Sequence, residues 1–399
     1  MILSQRAQKL APSPTLFLVA KAKELAAKGN DVISLSVGEP DWPTFAGPSE
    51  AGIAAIREGI TKYTPASGTQ ELREAIVKQM KNDFGWNYSA KEVTVGSGAK
   101  FIIFTALQVL CDPGDEVIFQ APFWVSYPAM IELAGGVSKV IPSNKEGRFK
   151  IAAAQLENAI TPKTKAFLYC SPSNPTGEIY SKEELKAIAD VLRKHPKIAI
   201  LSDDIYNRLV FEGGKLAPHI LEVAPDLRDR TLSINGVSKS YSMTGWRIGW
   251  AVGPENLIKP MGDFQSQATG APSSISQRAA WAAIEKCDED IAGASKMLKE
   301  RRDFAVERLR KIKDLSLDTP PGAFYLWVDI SKVLGRKFKG EVVKDSRDFS
   351  KILLEQFFVA VVPGFEFGVE GYMRLSFAIE NKRMAEAIDR IGNFISHMT

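Results

Sequence analysis

Two hydrophobic rhythms alternate along the middle of this chain. Between about residue 92 and residue 251, short runs rich in β-branched or other apolar residues recur: EVTVGS (92–97), DEVIFQ (115–120), KAFLYCS (165–171), IAILSD (198–203), TLSING (231–236) and IGWAVG (248–253). Stretches with helical spacing separate several of them, such as AKFIIFTALQVL directly after the first. Another, SKEELKAIADVLRKH, opens with Ser181 and Glu184, the pairing of a reciprocal helix cap. Near-continuous apolar strands alternating with helices predict an α/β fold with a mostly parallel sheet covered on both faces.

The flanks read differently. Residues 1–45 carry little strand signal and contain the stretch SVGEPDWPTFAGP as they lead into the α/β region. Residues 295–313 have the pattern of a long charged helix, followed by strand-like AFYLWVDI (323–330), VAVVPG (359–364) and YMRLSFA (372–378). The expected plan is a large domain over 46–290, and a smaller α+β domain built from 1–45 and 291–399. No internal repeat or low-complexity tract interrupts it.

Composition narrows the chemistry. The 399 residues, 45% apolar and 25% charged, are ordinary for a globular protein. A net charge of +4 is too small on such a chain to suggest nucleic acid or an anionic membrane. The longest apolar run, 101–110, is about half a membrane span. The opening MILSQRAQKLAPSP lacks a secretory signal, and Cys111, Cys170 and Cys287 form no disulfide framework, so a cytoplasmic protein is expected. His195, His219 and His397 are isolated, and no Gly-x-Ser-x-Gly elbow occurs. Zinc hydrolysis and a Ser-His-Asp triad are both disfavoured, and no metal is expected.

Open parallel sheets bind ligands beyond the carboxyl ends of their strands, so the residues that follow each run carry the candidate chemistry. The first run leads into Gly98, Ala99 and Lys100, a small-residue turn before a helix of the kind that cradles phosphate. Trp124 follows the second run and Asn174 the third; Asp203 and Tyr206 end the fourth. Lys239 follows the fifth, with Arg247 eight residues beyond it. Taken singly, each of these has an ordinary structural explanation. Together they match pyridoxal 5′-phosphate: a lysine amine forms a Schiff base with its aldehyde, a carboxylate keeps its ring nitrogen protonated, and an arginine grips its phosphate.

At these residues the chain resembles the class I and II aminotransferases of fold type I, nearest to the bacterial aspartate aminotransferase branch that includes prephenate-active enzymes. The likeness runs almost end to end, through SLSVGEPDWPT, KYTPASGTQELREAI, VTVGSGAK, PFWVSYP, SPSNPTG, SDDIY, NGVSKSYSMTGWRIG, PPGAFY, VAVVPG and YMRLSFA. The resemblance implies that Lys239 carries the cofactor and moves the proton at the substrate Cα. Asp203 would pair with the ring nitrogen, Tyr206 and Asn174 would bond the ring oxygen, and Trp124 would stack on the ring. Arg247, with Gly98, Ala99 and Lys100, would hold the phosphate, joined by Tyr63 from the neighbouring subunit of a homodimer with shared sites. Gly38 and Arg374 would take the substrate α-carboxylate, Trp124 and Asn174 would also face the substrate, and Lys100 would meet a distal carboxylate. The substrates implied are an amino acid, foremost aspartate, and a 2-oxo acid such as 2-oxoglutarate.

Two positions depart from the family pattern. Asp204 stands where glutamate is usual, and Gly236 where many relatives have a phosphate-binding serine, leaving Ser238 as its possible replacement. Three other readings remain open on sequence. Aminotransferases for prephenate, aromatic or other oxo acids, and β-lyases, share the same lysine chemistry. Ser97 and Lys100 formally fit the Ser-x-x-Lys of penicillin-interacting enzymes, although their Ser-Asp-Asn and Lys-Thr-Gly companions are missing. A non-catalytic regulator on the same scaffold would be expected to carry an added DNA-binding domain, for which this chain leaves no room.

Overall fold

A computed structural model describes residues 3–4, 7–8 and 14–399; most of the N-terminal stretch examined for a targeting signal lies outside these residues. Seven strands form the principal sheet: β1 (Val93–Gly96), β2 (Glu116–Ala121), β3 (Val137–Pro142), β4 (Thr164–Cys170), β5 (Ala199–Asp203), β6 (Thr231–Gly236) and β7 (Gly249–Val252). Their spatial order is β1-β7-β6-β5-β4-β2-β3. Pairing is parallel from β6 through to β3, and β7 runs antiparallel to both of its neighbours. The mostly parallel α/β sheet expected from the alternation is therefore present.

The apolar runs are near-continuous because both faces of the sheet are buried. In β4, Ala166 and Leu168 join one apolar cluster while Phe167 and Tyr169 join another; in β5, Leu201 and Ile200 divide the same way. Helix α1 (Ala99–Leu110) covers one face and α2 (Lys182–Arg193) the other, with the Ser181–Glu184 cap formed as expected. The long charged helix, α3 (Asp288–Leu309), begins earlier than its pattern suggested. Asp288, Glu289 and Asp290 occupy its first turn, where carboxylates complement the helix dipole. Strand β3 was not foreseen. It is an edge strand in which Ile141 alone is buried, so it lacks the apolar signature of the inner strands.

A second sheet, order β9-β10-β8, is antiparallel and comprises β8 (Tyr325–Asp329), β9 (Val362–Pro363) and β10 (Tyr372–Ser376). Ile33–Ser34 pairs in parallel with Val359–Ala360, tying the N-terminal segment to the C-terminal part of the chain. One apolar cluster runs from Ile103 and Leu201 of the large sheet layer to Leu326 and Phe394, so the two sheets share a core. That shared core fixes the carboxyl edge of the large sheet against residues from both ends of the chain.

Candidate active site

The parallel strands deliver their polar residues to one edge. Gly98 lies two residues beyond β1, Trp124 three beyond β2, Asn174 four beyond β4, and Lys239 three beyond β6; Asp203 is the last residue of β5, with Tyr206 just after it. Because β7 is antiparallel, its first residue, Gly249, also lies at this edge, with Arg247 two residues before it. A cavity of about 320 Å³ opens there. Ten of the twelve residues singled out from the sequence line it: Gly38, Ala99, Lys100, Trp124, Asn174, Asp203, Tyr206, Lys239, Arg247 and Arg374.

Gly98 adjoins the wall as the residue capping α1, with φ at 92°. A Cβ on Gly98 would stand 2.5 Å from Nη2 of Arg247, so only glycine lets the guanidinium close over this turn. Arg247 is held by its Nη1 donating to the Thr244 carbonyl at 2.8 Å. Gly249 packs more closely still: a Cβ there would overlap the backbone at Gly98 and Ala99. The departure at Gly236 has a similar cause, since a Cβ would lie 2.8 Å from the Ile248 carbonyl oxygen and 3.0 Å from the Gly249 Cα. Ser238 is buried and lines the same cavity as Arg247.

Asp203 is buried, and its Oδ2 accepts a 2.6 Å hydrogen bond from the Tyr127 hydroxyl. Burial pushes its pKa up to about 6, against the pull of the Tyr127 bond; Asp204 reinforces the rise and Lys239 opposes it. Asp204 does not face the cavity. It accepts from Ser202 at 2.6 Å and from Ser233, with the buried His219 Nε2 at 3.4 Å, so the shorter acid is fully used within the sheet. Lys239 Nζ donates to the Gly38 carbonyl at 2.6 Å. Burial, with Arg374 and Arg247 nearby, brings its pKa down to about 8 despite Glu39 and Asp203.

Arg374 is buried on β10, held by Asn174 Oδ1 at 3.0 Å and the Ser36 carbonyl at 2.6 Å, with its Nε unpartnered. A buried guanidinium with a free donor is a ready site for a carboxylate. Lys100 is exposed at the cavity wall, its Nζ 5.0 Å from the centre of the Trp124 ring. Tyr63 is elsewhere: its side chain is fully exposed and is not part of the cavity. Two functional neighbours escaped the sequence reading. Tyr127 bonds Asp203, and the Tyr325 hydroxyl lies 2.7 Å from that of Tyr206.

Pyridoxal phosphate fits this donor set. A buried carboxylate, an amine of lowered pKa, and a glycine cradle closed by an arginine all face one space that a flat, phosphorylated ring would fill. Among the described residues no group of three His, Cys, Asp or Glu is placed to hold a metal, and no helix is long and apolar enough to cross a membrane.

A fold with this sheet order and a lysine, aspartate and arginine at its carboxyl edge defines a pyridoxal-phosphate-dependent transferase. The family model for aminotransferase class I and II matches residues 30–391, and the chain belongs to that family. It is 45% identical over 391 residues to a probable aspartate/prephenate aminotransferase of Rickettsia bellii, covering 98% of each chain. It is 44% identical over 398 residues to the aspartate/prephenate aminotransferase of Nitrosomonas europaea, covering 99% of this chain and all of that one. Among solved structures, the aspartate aminotransferase of Rhizobium meliloti superposes with a TM-score of 0.95 at 39% identity over the whole of both chains. That of Thermus thermophilus with maleate gives 0.91 at 37%, covering 99% of this chain and all of that one.

Proposed function

We propose that this aminotransferase moves the amino group between aspartate and 2-oxoglutarate, with prephenate as a further oxo acid in keeping with the relatives' names. The observation that carries the reading is the convergence of Lys239, Asp203 and Arg374 on one cavity, with the exposed Lys100 at its wall. Bound there, pyridoxal phosphate supplies an aldehyde for the amino group and a ring that accepts the electron pair left at the substrate Cα.

In this reading Lys239 Nζ holds the cofactor and later moves the proton at Cα. With a pKa near 8 a substantial share of it is the neutral amine at mildly alkaline pH, which an ordinary lysine would not offer. Asp203 pairs with the ring nitrogen. Opposed unit charges about 4 Å apart gain roughly 4 kcal/mol at an effective dielectric near 20, before desolvation. Asn174 and Tyr206 would hold the ring oxygen, Trp124 would cover the ring, and Arg247 with the amides at Gly98, Ala99 and Lys100 would hold the phosphate. Arg374 and the Gly38 backbone orient the α-carboxylate, and Lys100 meets the distal one.

The exposed Tyr63, with Ile53, Ile56 and Ile60 exposed in the same stretch, supports a homodimer in which each Tyr63 serves the neighbouring phosphate site. The division into 46–290 and a unit of 1–45 with 291–399 belongs to the same reading, as does a cytoplasmic location. The test is a half-reaction screen: the protein loaded with pyridoxal phosphate is mixed with single amino acids and its visible absorbance followed. Aspartate and glutamate are expected to bleach it fastest. Release of ammonia and pyruvate from cysteine-like substrates, without amino transfer, would instead mark a β-lyase.

A further inference from the structure

We infer that Tyr325 is a positioning residue: its hydroxyl donates to the Tyr206 hydroxyl and so aims the Tyr206 proton into the cavity, while its ring braces Arg374. The inference rests on the reading above, in which Tyr206 faces the cofactor's ring oxygen.

Both tyrosines are buried, their hydroxyl oxygens 2.7 Å apart, their rings nearly perpendicular at 5.7 Å between centroids. Each phenol has one proton, so in this bond one donates and the other accepts. The Arg374 guanidinium lies 4.4 Å from the centre of the Tyr325 ring. A cation over that ring favours negative charge developing on its oxygen, which makes Tyr325 the donor. Tyr206 then accepts, and its own O–H is left to point at the cavity that both residues line. A hydroxyl that accepts one bond while donating another is the stronger donor for it. The ionisable groups facing the pair are Arg374, from β10, and the Cys170 thiol at the end of β4; Lys239 lies beyond, bonded to the Gly38 carbonyl.

Gly38 supplies an independent observation. A Cβ on it would overlap the Tyr325 hydroxyl, yet the ring carbons Cζ and Cε1 would stand at 3.5 and 3.7 Å, ordinary contact distances. The hydroxyl alone therefore excludes a side chain at position 38, and the backbone that receives Lys239 is seated directly against it.

The test compares the full wild-type chain, Tyr325→Phe, Tyr206→Phe and the double variant, each with pyridoxal phosphate added. The first readout is the pH at which the lysine-bound cofactor changes its visible absorbance. A hydrogen bond from Tyr206 stabilises the anionic ring oxygen, so weakening it raises this midpoint. Tyr325→Phe is expected to raise it by roughly half to one pH unit, the scale of one neutral hydrogen bond. Tyr206→Phe should raise it at least as far, and the double variant no further than Tyr206→Phe alone. The second readout is melting temperature: Gly38→Ala should lower it, and adding Tyr325→Phe should recover most of the loss. An unmoved midpoint in Tyr325→Phe, shifts that simply add in the double variant, or melting losses that add would each overturn the inference. A wild-type chain that develops no visible band would overturn it together with the reading beneath it, whereas a band that moves with Tyr206→Phe and not with Tyr325→Phe removes the inference alone.

Discussion

Asp203 illustrates how much of the chemistry is set by single environments. Its carboxyl has the same covalent structure as any exposed aspartate, but burial raises its pKa from 3.8 to about 6. Before cofactor binds, the folded protein therefore holds more protons at this site than the unfolded chain between pH 4 and pH 6, and stability falls as pH rises through that window. Asp203→Asn removes the effect. The cofactor-free variant should gain on wild type across that interval, by about 3 kcal/mol at pH 7 for a shift of this size. Denaturant melts at pH 4 and pH 7 check this; equal differences at the two values would contradict the burial argument. The same variant should bind pyridoxal phosphate more weakly, because the ring nitrogen loses its charged partner.

Lys100 and Arg374 separate two kinds of carboxylate recognition. In the proposed reading Lys100→Ala loses a charged hydrogen bond to the distal carboxylate alone, worth about 1.5–3 kcal/mol, or roughly tenfold to hundredfold in kcat/KM for aspartate. Phenylalanine should be little affected. Arg374→Ala should penalise aspartate, glutamate and phenylalanine alike, since all carry the α-carboxylate. Equal losses on all three from Lys100→Ala would move that lysine into the phosphate cradle.

At the scale of elements, the site depends on how closely β7 approaches the start of α1. Gly249 leaves no room for a methyl group against the backbone of Gly98 and Ala99, and backbone cannot swing aside as a side chain does. Gly249→Ala is expected to displace the helix start, weaken pyridoxal phosphate binding, and cost about 1–3 kcal/mol of stability, the usual range for overpacking. Gly293→Ala, in α3 with open space around it, is the control and should be neutral or slightly stabilising. The strands that build the site were legible because burial on both faces leaves an uninterrupted apolar run ending in polar residues. Strand β3, at the sheet edge, offered no such run. Tyr127 and Tyr325 were hidden for another reason. Each sits among apolar and aromatic neighbours in PFWVSYP and AFYLWVDI, where a tyrosine reads as core, and the partner of each hydroxyl is 76 or 119 residues away in sequence. The motifs at the strand ends could be read one strand at a time; those pairings exist only once the two sheets share a core.

For the whole molecule, the exposed Tyr63 makes the subunit assembly part of the proposal. Neither Tyr63→Phe nor Lys239→Ala homodimers should be fully competent, but a hybrid of the two contains one site with both native residues. Activity should therefore reappear on subunit exchange; exchange proven by mass measurement without such recovery would contradict shared sites. The most direct measurement of the central claim is a single-turnover reaction of the pyridoxal-phosphate-loaded protein with aspartate in the absence of any oxo acid. The wild-type chain should lose its visible absorbance as oxaloacetate appears, while Lys239→Ala, still able to hold the cofactor through Asp203 and the phosphate cradle, should form oxaloacetate several orders of magnitude more slowly. Near-normal oxaloacetate formation by Lys239→Ala, or a wild-type chain that binds the cofactor and leaves aspartate untouched, would contradict it.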